Sequence, residues 1–241
     1  MSLSRILILS LLLLAGPAIA GVSVSPVLLT LSAKHTSTAV TVTNDTGEEK
    51  VFQADPVAWR HQGDEDVYQP TDRIVASPPL FRLMPGAKQV VRVGVPDTAN
   101  VSDAAEGTYR LFLQEVPAAP KGDTEGGSQL KMLLRLGLPV FRSPVAPQPE
   151  SMSWQARRNA DGQIELQMHN TGNVHVRLSD LALIPAGSTT ALKVAGFTYV
   201  FAGESRRWLL DPGKNWQGAS VKYSVQTEKG IRSADLPLEG G

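Results

Sequence analysis

The residues able to do chemistry are few. The 241-residue chain contains no cysteine and four histidines, His35, His61, His169 and His175. Without cysteine there is no thiolate nucleophile, no Cys-based zinc site and no disulfide. His169 and His175 lie on either side of the turn Asn170-Thr171-Gly172-Asn173, a placement expected of structural histidines at strand ends rather than of metal ligands. The acidic triplet Asp64-Glu65-Asp66 lacks the ligand spacing and helical flank of a calcium loop and reads as a solvated loop. No serine stands in a nucleophile-elbow pattern. Trp59, Trp154, Trp208 and Trp216 are too scattered to build a ligand cage, so packing in cores or at a domain interface is expected of them. Basic and acidic residues balance at 23 each, which removes the electrostatic case for a nucleic-acid binder. No enzyme, no metal and no cofactor are expected. What remains is a protein that works by binding.

The elements that would position such a binding surface are strands. Val40 and Val42 alternate with threonines, and Val91, Val93 and Val95 alternate with Arg92 and Gly94. Tyr109, Leu111 and Leu113 alternate with Arg110, Phe112 and Gln114, and Ile164, Leu166 and Met168 with Glu165 and Gln167. Period two over five to eight residues is the signal of a half-buried strand. Turn clusters separate these runs: Asn44-Asp45-Thr46-Gly47, Pro85-Gly86, Asn170-Thr171-Gly172-Asn173 and Asp211-Pro212-Gly213. With 17 prolines and 21 glycines, long helices have little room. The expected fold is all-β, in antiparallel sandwiches.

Residues 1–20 are expected to be a secretory signal peptide. Arg5 precedes an apolar run over residues 6–15, followed by Gly16-Pro17 and the small-residue pattern Ala18-Ile19-Ala20. That run is ten residues long, against about 20 for a membrane span. A second boundary is marked by Pro144, Pro147 and Pro149, three prolines within six residues, which make a stiff, extended connector. The expected organisation is a signal peptide over 1–20, a first sandwich over 21–143, a linker over 144–150 and a second sandwich over 151–241. No internal repeat is evident.

Residues 130–140 stand apart. Leu130, Met132, Leu134, Leu136, Leu138 and Val140 form one unbroken apolar face, with Lys131, Leu133, Arg135, Gly137 and Pro139 on the other. Gly137 and Pro139 disfavour a helix. A buried core strand would carry such a face, but this strand closes the first domain, and last strands are often sheet edges. An apolar edge left unblunted is a template for a strand from another chain.

Several segments, taken in order, resemble the immunoglobulin-like periplasmic chaperones of the chaperone–usher pathway that assembles pili and fimbriae. They are Ser77-Pro78-Pro79-Leu80-Phe81-Arg82-Leu83-Met84-Pro85-Gly86, residues 106–117, residues 130–144 and, in the second domain, residues 170–178. The resemblance implies two immunoglobulin-like sandwiches set at an angle. It implies a periplasmic protein that binds, folds and caps pilus subunits and delivers them to an outer-membrane usher. The chaperone lends its last first-domain strand, here 130–140, to a subunit that lacks one. By position the donated side chains are Leu130, Met132, Leu134 and Leu136.

The resemblance breaks where the family anchors the subunit's terminal carboxylate. The Arg on the first strand and the Lys near the end of the donor strand correspond to Leu28 and Pro139. The family's usual Asn in the strand before the donor is Phe112. The missing anchor resembles the branch called archaic, and the loop over 118–129 is short and without cysteine, unlike the long-loop branch whose loop carries a disulfide. A replacement cation is expected from Arg92, Arg110 or Arg82, an arginine being favoured by its two-pronged geometry. The competing reading is a structural pilus subunit or a carbohydrate-binding, adhesin-type sandwich.

Overall fold

The computed structural model describes residues 21–63, 65–96, 104–117, 132–213 and 216–239. Ten strands precede the proline-rich connector: β1 (Val22–Ser25), β2 (Leu29–Leu31), β3 (Ser37–Asn44), β4 (Lys50–Gln62), β5 (Glu65–Pro70), β6 (Val75–Ser77), β7 (Leu80–Leu83), β8 (Lys88–Gly94), β9 (Gly107–Glu115) and β10 (Arg135–Arg142). Eight follow it: β11 (Met152–Arg158), β12 (Ile164–Asn170), β13 (Val176–Pro185), β14 (Leu192–Lys193), β15 (Phe197–Val200), β16 (Ser205–Leu210), β17 (Ser220–Thr227) and β18 (Gly230–Glu239). Among the described residues there is no helix.

The first ten strands form a sandwich. One sheet runs β1-β3-β8-β6; the other runs β2-β10-β9-β4-β5, with β7 also on β4. The alternating residues read from the sequence fill the space between them. Val40, Val42, Val91, Val93, Leu111, Leu113 and Val140 are fully buried in one cluster, each worth about 1.5–3 kcal/mol relative to exposure. The chain crosses between the sheets at Pro26: β1 pairs with β3 in one sheet and β2 with β10 in the other. A phase shift in the apolar pattern marks that crossing in the sequence. The last eight strands form the second sandwich, around Ile164, Leu166, Met168, Leu183 and Val225. There β18 joins the two halves, pairing with β17 along its length and with β11 at Ala156 and Arg157.

Both sandwiches use the same buried latch, although no sequence repeat announces it. Asn44 is fully buried, donates from Nδ2 to the Leu83 and Glu48 carbonyls, and accepts from the Thr46 N–H. Asn170 is equally buried, donates to the Val200 and Val174 carbonyls, and accepts from the Gly172 N–H. Each amide ties its own turn to a neighbouring strand and leaves neither of its polar atoms unpaired, which is the condition for burying it.

The strand expected over 130–140 begins later. Its ladder with β9 starts at Arg135. Leu130 and Lys131 lie outside the described residues. Met132, Leu133 and Leu134 precede the strand, and Leu134 is tied down by Glu115. The Glu115 N–H donates to the Leu134 carbonyl at 2.7 Å, and the Leu134 N–H to a carboxylate oxygen of Glu115 at 3.2 Å. Lys50 holds the other oxygen of the buried Glu115 carboxylate at 2.9 Å.

Candidate functional site

The ladder contacts of β10 define an open edge. One side pairs with β9 from Arg135 to Arg142. The other pairs with β2 only at Val140, Phe141 and Arg142. From Arg135 to Pro139 that second side carries no strand partner among the described residues. The apolar row along this segment is graded. Met132 is 84% exposed, Leu134 and Leu136 lie half-buried against the first core, and Leu138 and Val140 belong to it. The row is therefore not a uniformly outward face. It opens at its N-terminal end and is rooted in the core at its C-terminal end.

The opposite face of this sheet carries aromatic and cationic groups. Residues directly across a ladder point to the same side of a sheet. Val57, Arg110 and Pro139 therefore make one row, and Asp55, Phe112 and Gly137 the next. Arg110 lies over the Trp59 ring with its guanidinium carbon 3.9 Å from the centroid, and donates to the Tyr68 hydroxyl at 3.0 Å. Asp66 stands 3.8 Å from the same guanidinium. Arg110 Nε is buried without a hydrogen-bond partner. Burial pushes the Tyr68 phenol up, its bond to Asp66 adds to this, and Arg110 opposes it. Arg135 covers Phe112 with its guanidinium carbon 3.8 Å from the ring centroid. Gly137 makes room for both neighbours: a Cβ there would lie 3.0 Å from Phe112 and 3.1 Å from the Arg110 side chain.

The three candidate arginines do not converge. Arg110 shares the face of Pro139 and touches Trp59, which packs in one cluster with Phe141, Phe201 and Leu28. Arg92 lies on β8 in the other sheet, exposed, opposite Ala39 and Ser77. Arg82 lies on β7 with its side chain 77% exposed and pairs with Glu49 at 3.3 Å. Arg92, offered with Arg110 as a replacement cation, thus lies on a strand of the sheet opposite β10. Alternation gives the face of a strand but not the sheet to which it belongs.

Of the four tryptophans, Trp59 takes the domain-interface place the sequence allowed, with partners it did not name. Trp59 and Phe141 from the first meet Phe201 and Tyr199 from the second, with ring centroids 4.8 Å apart for Trp59–Phe201 and 5.3 Å for Phe141–Tyr199. Burial raises the Tyr199 phenol, opposed by Arg177, which stands directly across the β13–β15 ladder. Asn173 donates to the carbonyls of Ala104 and Ala146 and accepts from the Gln148 N–H, tying connector and first sandwich to the second. Trp154 packs instead within the second sandwich, between Trp208 and Tyr223. Of the acidic triplet, Asp64 lies outside the described residues. Asp66 accepts from Trp59 Nε1 at 3.0 Å and from the Tyr68 hydroxyl, so it is a packing partner of the junction.

The described residues thus form two linked β-sandwiches, with an apolar, partly open edge on the last strand of the first. Residues 21–148 match the family of pili and flagellar-assembly chaperones, PapD N-terminal domain, over more than half of the chain. The chain belongs to that family. It is 36% identical over 70 residues to the chaperone protein FanE of Escherichia coli and 32% identical over 77 residues to the chaperone protein PapD of the same organism. Those matches span 29% and 32% of this chain and 29% and 30% of the two relatives, so less than a third of either relative is aligned.

The likeness of fold is much longer. A chain of the CsuC–CsuE chaperone–tip adhesion subunit pre-assembly complex, from the archaic chaperone–usher Csu pili of Acinetobacter baumannii, superposes with a TM-score of 0.65 at 22% identity. The match covers 92% of this chain and all of that one. The YadV chaperone matches with the same TM-score at 16% identity, over 90% of this chain and 99% of its own. A chain of the Salmonella enterica SafA pilin–SafB chaperone complex matches with a TM-score of 0.63 at 18% identity, over 91% of this chain and 98% of that one.

Proposed function

We propose that this chain is a periplasmic chaperone that binds, folds and caps pilus subunits by donating residues 130–140, the start of β10 and the segment leading into it, and hands them to an outer-membrane usher. The observation that carries the reading is the open edge from Arg135 to Pro139, with an apolar row that emerges from the core toward Met132. An extended segment with free main-chain groups and alternate apolar side chains suits an incomplete sandwich that needs one more strand. Leu130, Met132, Leu134 and Leu136 are the donated side chains in this reading. Burial of three or four such groups at about 1.5–3 kcal/mol each supplies substantial binding without a nucleotide. Family membership supports the chaperone over a structural subunit or a sugar-binding adhesin. Residues 1–20 serve as the cleaved leader.

The client's terminal carboxylate is assigned to Arg110. It stands beside both positions from which the family's usual cations are missing: directly opposite Pro139, and over Trp59, whose cluster includes Leu28. A buried carboxylate needs a partner, and Arg110 has an Nε to spare.

The test is co-purification from periplasm, with mass spectrometry to identify what is bound. Met132→Asp places a charge at an 84%-exposed position, so the fold should be kept and subunit recovery lost. Undiminished recovery of the same subunit would refute strand donation at this edge. Leu134→Asp is the companion variant, and its half-buried side chain should make it costly to stability as well.

A further inference from the structure

The two sandwiches are joined by a reciprocal pair of histidines. His61, on β4 of the first sandwich, meets Glu204 of the second, with Nδ1 2.6 Å from a carboxylate oxygen, and stacks on Phe201 with centroids 4.2 Å apart. His175, on the second sandwich, meets Glu106 of the first, again with Nδ1 2.6 Å from a carboxylate oxygen, and stacks on Phe141 at 3.7 Å. Each sandwich thus sends an imidazole into the other, and each imidazole finds one carboxylate and one aromatic ring there.

Each ring also faces a carboxylate of its own sandwich. His61 Nε2 is 3.2 Å from Asp66. His175 Nε2 is 3.9 Å from Glu228 and has no hydrogen-bond partner, although it is buried. Carboxylates accept hydrogen bonds and do not donate them. A neutral imidazole has one N–H and can serve only one of its two acidic neighbours, leaving a lone pair turned toward the other. A doubly protonated ring serves both.

Other charged and titratable groups face the same junction. Arg110 lies 3.8 Å from Asp66, the Tyr68 hydroxyl donates to Asp66, and Arg206 donates to the Gly63 carbonyl. Arg60, Asp72 and Arg73 line one cavity with His61, Glu106 and Glu204, and Arg177 stands across the ladder from Tyr199. Around His175 stands the Tyr199 ring, edge-on at 5.3 Å. Both side chains are largely buried, 6% exposed for His61 and 12% for His175, so solvent screens these pairs little.

We propose that His61 and His175 form a paired, pH-sensitive clasp that sets the angle between the two sandwiches. Protonated rings bind both sandwiches and hold one elbow geometry. Deprotonation removes one donor from each ring and sets a carboxylate against a lone pair, so the elbow loosens. Only the doubly protonated ring has a donor for both of its carboxylates, so the clasp is firmer at lower pH and weaker at higher pH. This inference rests on the chaperone reading only for what the cleft holds, since Arg110 and Trp59 line the same junction. The elbow itself is measured without a client.

The chain has no cysteine, so two introduced cysteines can be spin-labelled alone. Glu48→Cys and Thr189→Cys are exposed turn positions, at the ends of β4 and β13 remote from His61 and His175. Pulsed electron paramagnetic resonance then reads the distance between the sandwiches at about pH 5.5 and about pH 8. The expected result is a narrow distribution at the lower pH that broadens at the higher one, with loss of that response in His61→Gln/His175→Gln. An equal width at both values in the otherwise wild-type chain would overturn the clasp. So would an unchanged pH response in the double variant, with the wild-type comparison deciding alone should that variant not fold. Subunit binding at the same two values is read separately. Its absence at both would contradict the chaperone reading, and the elbow distances would still decide the clasp.

Discussion

Arg110 stands directly opposite Pro139 across the β9–β10 ladder, so its guanidinium occupies the face from which a cation at the proline position would have projected. Proline offers neither charge nor N–H. In the proposed reading the neighbouring strand supplies the charge, through Arg110 held in place by Trp59 and Tyr68. Arg110→Gln should leave the fold intact and weaken subunit binding. Truncation of one member of a buried charge pair costs about 2–5 kcal/mol, which calorimetric titration would read as a loss of more than tenfold in affinity. Arg110→Lys should recover part of it, because the charge returns without the fork.

A side chain at Gly137 should be costly. A Cβ would press on Phe112 and on the Arg110 side chain, and overpacking of this kind costs about 1–3 kcal/mol. Gly137→Val should lower the denaturant midpoint and, by displacing Arg110, also weaken subunit binding.

The two asparagine latches should be equivalent in stability and distinct in place. Asn44→Ala leaves the Leu83 carbonyl without its donor and Asn170→Ala does the same to the Val200 carbonyl. An unsatisfied buried group costs about 1–3 kcal/mol. Each variant should lower the melting temperature, and amide exchange should rise in the sandwich that carries the substitution.

Glu165 gives an acid-side prediction. The Arg157 hydrogen bond at 2.8 Å holds its carboxyl below the ordinary value of 4.5, with Arg207 adding to the effect. A carboxylate with a depressed value stabilises the fold above its unfolded value, and that contribution is lost as pH falls through the folded one. The stability difference between wild type and Glu165→Gln should thus be present at neutral pH and shrink in denaturant titrations as pH falls below 4.5 toward the lower folded value. Arg157 is more than half exposed, which keeps the effect small.

Much of the fold was legible from alternation alone. Val40, Val42, Val91, Val93, Leu111, Leu113, Ile164, Leu166 and Met168 are buried as their period-two spacing requires. The sheet to which a strand belongs was not, because period two fixes a face and says nothing about partners. Arg92 shows this most plainly. The start of β10 was also misplaced. The apolar period continues through Met132 and Leu134, but the ladder begins at Arg135, where pairing with Gln114 starts. A domain interface was a legible place for a tryptophan, but the partners stayed hidden for a different reason: Trp59, Phe141, His175 and Phe201 are far apart in sequence and meet only through tertiary packing. A lone histidine at a strand end looks structural, and His175 does have a structural partner. That the partner lies on the other sandwich is invisible in one dimension.

The central claim is that β10 and the residues leading into it receive a client strand. A photo-crosslinking residue placed at Met132, in the chain expressed in periplasm, tests it most directly, with Arg92 on the other sheet as the control position. The account predicts a covalent adduct at Met132 with a sandwich-type pilus subunit, mapped by mass spectrometry to an edge strand of that subunit, and none at Arg92. Recovery of the subunit with no adduct at Met132, or with equal adducts at both positions, would contradict it.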